Sequence, residues 1–174
     1  MALELIIGSM YSGKSTELIR RVKRFRSIGM KCCVLNHSYD TRVTGQYIQT
    51  HDGDKINAIK SNDILLVNTK GYDVIAIDEG QFFNNLKTAV HLMVESGKHV
   101  IVAGLSGDYQ RKKFGEILDL IPMADDVIYK RALCLKCCHP QRPASFTKRL
   151  SNEDCQILVN SKYIAVCRQC YETK

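Results

Sequence analysis

Short apolar runs alternate with amphipathic stretches along the first 130 positions. Leu3-Glu4-Leu5-Ile6-Ile7 reads as a first strand. A glycine-bearing loop follows. Leu18, Ile19, Val22 and Phe25 then recur at helical spacing within positions 14 to about 28, and Gly29 supplies the stop. Lys31-Cys32-Cys33-Val34-Leu35-Asn36 predicts a second buried strand, after which positions 38 to about 63 turn polar, with strand signals only near Tyr47-Ile48. Tyr72-Asp73-Val74-Ile75-Ala76-Ile77 is a third run and ends abruptly in Asp78-Glu79. Leu86, Ala89, Val90, Met93 and Val94 mark a helix closed by Gly97, and His99-Val100-Ile101-Val102-Ala103-Gly104 another strand. Phe114, Ile117, Leu118 and Ile121 predict one more helix, ended by Pro122, before a last strand at Val127-Ile128-Tyr129. Apolar strands alternating with helices specify an α/β fold, a parallel sheet covered on both faces.

Beyond about position 131 the periodic helices stop, and cysteines, prolines and basic residues take over. We therefore expect an α/β domain over 1–130 and a small metal-held domain over 131–174. With 174 residues, 45% of them hydrophobic and 25% charged, the chain suits a globular protein in water. No apolar run reaches membrane-spanning length, and the opening segment lacks a basic export region, so a cytoplasmic location is expected. The net charge of +7 suits an anionic partner without naming one. Arg20, Arg21, Lys23, Arg24 and Arg26 crowd the first helix. They are expected to form its solvated face, opposite Leu18, Ile19, Val22 and Phe25, in preference to a nucleic-acid groove.

Gly8-Ser9-Met10-Tyr11-Ser12-Gly13-Lys14-Ser15 is a P-loop pattern placed between a strand and a helix, the context that its chemistry needs. Its glycines let backbone amides approach phosphate oxygens, Lys14 brings a point charge to the β/γ-phosphates, and the Ser15 hydroxyl can reach magnesium. Thr16 continues the loop into the helix. Asp78, ending a buried strand, suits the magnesium shell, and the adjacent Glu79 suits a base. ATP with Mg²⁺ is the expected cofactor pair. If Glu79 activates water the protein is an ATPase; if it activates a bound hydroxyl, a kinase.

Cys134-x-x-Cys137 and Cys167-x-x-Cys170 form the third signal. Two such pairs close a four-thiolate tetrahedral site for a structural Zn²⁺. The stretch between them, about 29 residues, is long for a simple ribbon and is expected to have its own task. Cys138 and His139 are not needed as ligands, and Cys32, Cys33 and Cys155 are expected to be packing residues. Arg42 in Asp40-Thr41-Arg42 follows the second strand, where ligands gather in open α/β sheets.

Taken in order, several segments resemble the type II thymidine kinases of cells, bacteria and poxviruses. They are the P-loop through Thr16-Glu17-Leu18, Asp40-Thr41-Arg42, Thr50-His51-Asp52 and Asp78-Glu79-Gly80-Gln81-Phe82-Phe83. Gln110-Arg111-Lys112-Lys113-Phe114-Gly115, Thr147-Lys148-Arg149-Leu150 and Lys162-Tyr163 through Cys170-Tyr171 continue the match nearly end to end. The resemblance implies a RecA-like P-loop sheet with a zinc-binding C-terminal domain bearing a lasso loop. It also implies phosphorylation of the 5′-hydroxyl of thymidine, or deoxyuridine, by ATP-magnesium in deoxynucleotide salvage. Glu79 would take the hydroxyl proton, with Arg42 near the 5′ oxygen and Asp40 near the 3′-hydroxyl. Met10, Phe82, Leu105 and Tyr109 would enclose the thymine. Ile157, Leu158 and Val159 of the lasso, with Thr147 and Tyr163, would contact base or sugar. A homotetramer, feedback by dTTP, and no membrane or nucleic-acid partner are further implications.

Tyr109 stands where that family usually has phenylalanine, Ser106 where it has aspartate, and Val159-Asn160-Ser161-Lys162 where a glycine pair and a longer loop are common. The competing reading is a nucleic-acid-stimulated ATPase with a zinc ribbon. For that, 174 residues leave no room for a second motor lobe.

Overall fold

A computed structural model describes residues 1–40, 45–50, 53–137, 142–158 and 161–173. Strand β1 (Ala2–Gly8) runs through the glycine loop into helix α1 (Lys14–Ser27), which returns the chain to β2 (Cys32–His37). The polar stretch that follows contains a short antiparallel hairpin, β3 (Tyr47–Gln49) with β4 (Lys55–Asn57), and then β5 (Ile59–Ser61). Next come β6 (Val74–Ile77), α2 (Leu86–Glu95), β7 (His99–Leu105) and β8 (Asp126–Lys130). Six strands form one sheet in the order β5-β2-β6-β7-β1-β8, and every pairing is parallel. β7 thus separates the strand that feeds the glycine loop from the strand that ends at Asp78.

Alternation along the strands divides the core between the two faces. Leu18, Ile19 and Val22 of α1 pack with Ile6, Val34 and Ile101 on one side. Leu86, Val90 and Met93 of α2 pack with Leu5, Ile75 and Val102 on the other. Each side chain this well buried contributes about 2 kcal/mol of transfer free energy. Cys33 lies within this core, where burial pushes its thiol up to about 11, and it serves as a small apolar residue. Among the described residues no helix is long and apolar enough to cross a membrane.

Four local expectations are corrected. The hairpin at 47–57 was legible only in part, because strands of three residues carry too little alternation to register. The helix expected around Ile117 is a 3-10 segment, Ile117–Met123, with Pro122 inside it; proline has no N–H with which to continue an α-helical ladder. Arg21 does not belong to a solvated face. It is buried, paired with Glu17 at 2.9 Å, with Glu4 and, at 3.3 Å, with Asp126. Cys155 is exposed and packs no core.

After β8 the chain leaves the large sheet. β9 (Ala132–Leu133) pairs with β10 (Pro143–Ala144), β11 (Phe146–Arg149) pairs with β12 (Tyr163–Val166), both antiparallel, and α3 (Arg168–Glu172) closes the chain. Among the described residues their shared buried core is small, Ala132, Ala144, Ala165 and Val166 with Cys134 and Cys167, and Phe146, Ile164 and Tyr171 pack against it partly buried. So few apolar atoms give this unit little stability of its own, the usual circumstance for a metal staple.

Candidate active site

The P-loop is shaped by close backbone approaches. A β-carbon on Gly8 would fall 2.1 Å from the Lys130 carbonyl oxygen, so only glycine fits where β1 meets the end of β8. Gly13, at φ 75°, takes the left-handed conformation that starts α1. Lys14, the first helical residue, is buried, and its Nζ donates to the Ser9 carbonyl at 2.7 Å. A helix N-terminus with a lysine folded into its loop concentrates positive potential where a polyphosphate would sit.

The glycine loop is also tied to the cysteine-rich module. Ser9 Oγ donates to the Ala144 carbonyl at 2.9 Å, and the Met10 amide donates to Thr147 Oγ1 at 3.0 Å. Across the sheet, Asp78 is buried directly after β6, and Glu79 follows in a left-handed conformation, φ 53°. That backbone costs about 1 kcal/mol for a side-chain-bearing residue. Gln81 Nε2 donates to the Glu79 carboxylate at 2.6 Å. Asp40 is buried at the end of β2 and accepts from Asn36 Nδ2 at 2.8 Å.

The chain between β11 and β12 folds back over these elements. Its neck is closed by Leu150 N–H donating to the Lys162 carbonyl at 3.0 Å and by the Ser151 and Ser161 hydroxyls 2.7 Å apart. Arg149 organises its interior. The guanidinium donates to the carbonyls of Glu153, Cys155 and Gln156 and to the Tyr163 hydroxyl, and it lies 3.8 Å from the centre of the Tyr109 ring. Outer contacts fasten the loop to the segment after β7. The Tyr109 hydroxyl donates to Asp154 at 3.1 Å, and Gln156 Nε2 donates to Asp108 at 2.8 Å. The hydroxyl by which Tyr109 departs from phenylalanine is therefore used to hold this loop.

These parts surround a single cavity of about 670 Å³. Its lining includes the P-loop from Met10 to Thr16, with Asp40, Glu79 and Phe82. Leu105 and Tyr109 form a wall, and Thr147, Ile157, Leu158 and Tyr163 roof it. Sixteen positions expected to bind phosphate, base or sugar or to act on them are thus brought together. Gly8, Ser9 and Asp78 are not part of this lining, and Ser9 and Asp78 are buried. Arg42 and Val159, also expected at the site, lie outside the described residues, as do His51, Asp52, Cys138 and His139. Tyr39, Gln49, Thr50 and Lys162 line the cavity too and were not assigned to the site from the sequence, although Thr50 and Lys162 lie in segments that carry the family resemblance. Three-residue strands and a polar loop gave them no periodic signal. Arg149 had one. It alternates with Thr147 along β11, and both side chains point inward.

The four cysteines converge as well. The Sγ atoms of Cys134, Cys137, Cys167 and Cys170 all lie within 4.8 Å of one another. A zinc ion with bonds of about 2.3 Å to a tetrahedron of thiolates needs edges of about 3.8 Å, so this donor set fits one structural Zn²⁺. The backbone N–H of Cys170 holds the Cys167 thiol down to about 6, toward the thiolate that a metal requires.

A thymidine kinase family model matches residues 1–171. The chain belongs to the thymidine kinase family. It is 44% identical to the thymidine kinase of myxoma virus (strain Uriarra) over 97% of its own length and 95% of that protein. With the vaccinia virus (strain Western Reserve) thymidine kinase the identity is 43%, covering 97% and 96%, and with that of sheeppox virus 42%, over the same shares. The protein is thus an ATP-dependent kinase that phosphorylates thymidine.

Proposed function

We propose that Glu79 takes the proton from the thymidine 5′-hydroxyl while the γ-phosphoryl group of ATP, cradled by the P-loop amides and Lys14, is transferred to it. The new bond joins the 5′ oxygen to the γ-phosphorus. The bond from that phosphorus to the β–γ bridging oxygen breaks, and ADP leaves with the electron pair. The observation that carries this reading is the shared cavity, which sets the P-loop, Glu79 and the 147–163 roof around one space. A nucleoside held there meets a base and a phosphate cradle at once, and the arrangement converts a two-body encounter into a positioned reaction.

Ser15 and Asp78 offer the hard oxygen donors that magnesium prefers, and when bound the ion neutralises charge on the phosphate oxygens. Asp40 is proposed to hold the sugar and Arg42 to steady the transferring group. Met10, Phe82, Leu105 and Tyr109 would enclose the thymine. Backbone groups at 157–159, with Thr147 and Tyr163, would read its edge, which penalises a wrong base by leaving buried groups unpaired. Closing the roof keeps water from competing with the 5′-hydroxyl. Resemblance supports three further proposals: a homotetramer, dTTP as feedback inhibitor, and a cytoplasmic role in deoxynucleotide salvage.

The test is ATP-dependent conversion of labelled thymidine to its monophosphate, run beside ATP hydrolysis with and without DNA. Thymidine product that depends on Glu79 is expected. Hydrolysis stimulated by DNA without nucleotide product would contradict the reading.

A further inference from the structure

Gln81 is the one described residue that bonds both the proposed base and the wall of the nucleobase cavity. Its Oε1 accepts from the Leu105 backbone N–H at 3.0 Å, and its Nε2 donates to Glu79 Oε2 at 2.6 Å. The orientation of this amide is fixed by chemistry. An N–H can face only an acceptor, so the oxygen must point to Leu105 and the nitrogen to Glu79. The residue is 2% exposed and is gripped on several sides. A β-carbon on Gly104 would come within 2.4 Å of its Oε1, and one on Gly115 within 2.2 Å of its backbone carbonyl. Both glycines therefore keep clear the space that Gln81 fills. The carboxylate it holds belongs to a residue with a left-handed backbone, and no side-chain hydrogen bond caps the short 3-10 turn that begins there. An external tether matters most in such a place.

We infer that Gln81 is a positioning residue with two separable ends: its amide nitrogen sets the Glu79 carboxylate for catalysis, and its amide oxygen sets the Leu105 wall for nucleoside binding. The inference deepens the proposed function and rests on Glu79 acting as the base. Its consequence is a coupling of recognition to chemistry. A nucleoside that displaces Leu105 shifts the amide, and with it the carboxylate, so a misfitting base is penalised in turnover as well as in affinity.

Two substitutions separate the ends. Gln81→Glu keeps an oxygen for the Leu105 N–H but replaces the donor facing Glu79 with a repelling carboxylate. Its kcat is expected to fall about tenfold or more while the thymidine KM stays within about twofold, as for an interaction made in the transition state alone. Gln81→Met removes both ends and is expected to lower kcat and raise the thymidine KM severalfold, with ATP affinity retained in both variants. Wild-type kcat in Gln81→Glu, or parallel changes of kcat and KM in the two variants, overturns the inference.

If neither variant folds, the native protein answers. The Gln81 side-chain amide protons should exchange with water far more slowly than those of exposed glutamines, and fast exchange overturns the inference. Turnover surviving in Glu79→Gln would instead sink the underlying base assignment. An inactive Glu79→Gln beside a fully active Gln81→Glu would sink only the positioning role.

Discussion

The Met10 amide donates a hydrogen bond to Thr147 Oγ1 at 3.0 Å, joining the centre of the glycine loop to the first strand of the cysteine-held hairpin. The proposed phosphate cradle and the proposed substrate roof are thereby tied to each other. Thr147→Val keeps the shape of the side chain and leaves the amide without its acceptor, at a cost of about 1–3 kcal/mol. The variant is expected to melt at lower temperature and to bind ATP severalfold more weakly by calorimetry. An ATP affinity equal to that of the wild type would show that the two parts are not coupled.

Because the roof hangs on the cysteine cluster, removing a ligand should disable the enzyme from a distance. The unmodified chain is expected to carry one tightly bound zinc by elemental analysis. Cys170→Ser should lose most of that metal, unfold earlier and turn over thymidine poorly. A folded, fully active, metal-free protein would refute the assignment of Cys134, Cys137, Cys167 and Cys170.

Arg149 ties three loop carbonyls to the Tyr109 ring. Replacing it with methionine keeps much of its volume but abandons those carbonyls. Arg149→Met is expected to raise the thymidine KM about tenfold or more and to increase the share of ATP lost to hydrolysis, as expected when closure over a reaction fails. ATP affinity should hold. An unchanged ratio of hydrolysis to transfer would contradict a roof that excludes water.

At the opposite end of the sheet, His99 and the buried Arg21 hold the Glu4 carboxyl below its ordinary value of 4.5; His99 makes the larger contribution, by a hydrogen bond of 2.9 Å. Arg21 also faces Glu17 and Asp126. A depressed carboxyl contributes stability that is present above its unfolded value and lost as pH falls through the folded one. Thermal stability should therefore decline on acidification below 4.5 more steeply in the wild type than in Glu4→Gln. At neutral pH the variant should melt lower by about 5 °C, the size expected for losing a charged hydrogen bond. Parallel acid limbs would remove Glu4 from this role.

Much of this architecture was legible in the chain because its signals are local. Val74 to Ile77 is apolar at every position, as a central parallel strand must be, and the P-loop spacing places its own glycines. The two Cys-x-x-Cys pairs announced their convergence because zinc chemistry permits few other readings. Arg21 was misread because five basic residues look alike along a helix; only the acids of β1 and β8 distinguish one of them. Gln81 and Arg149 stand in segments that carry the family resemblance, and Arg149 alternates with Thr147, but the role of neither was legible, for a related reason. Their partners, Leu105 for one and Tyr109 with Glu153 for the other, are supplied by folding and leave no spacing in the sequence.

The proposed reaction depends on Glu79 acting as a base on a hydroxyl held in the cavity it shares with the P-loop. The direct measurement is steady-state turnover of labelled thymidine by Glu79→Gln beside its equilibrium affinity for ATP. General-base loss predicts a kcat lower by about a hundredfold or more, with ATP binding unchanged. Turnover equal to that of the wild type would exclude Glu79 as the base.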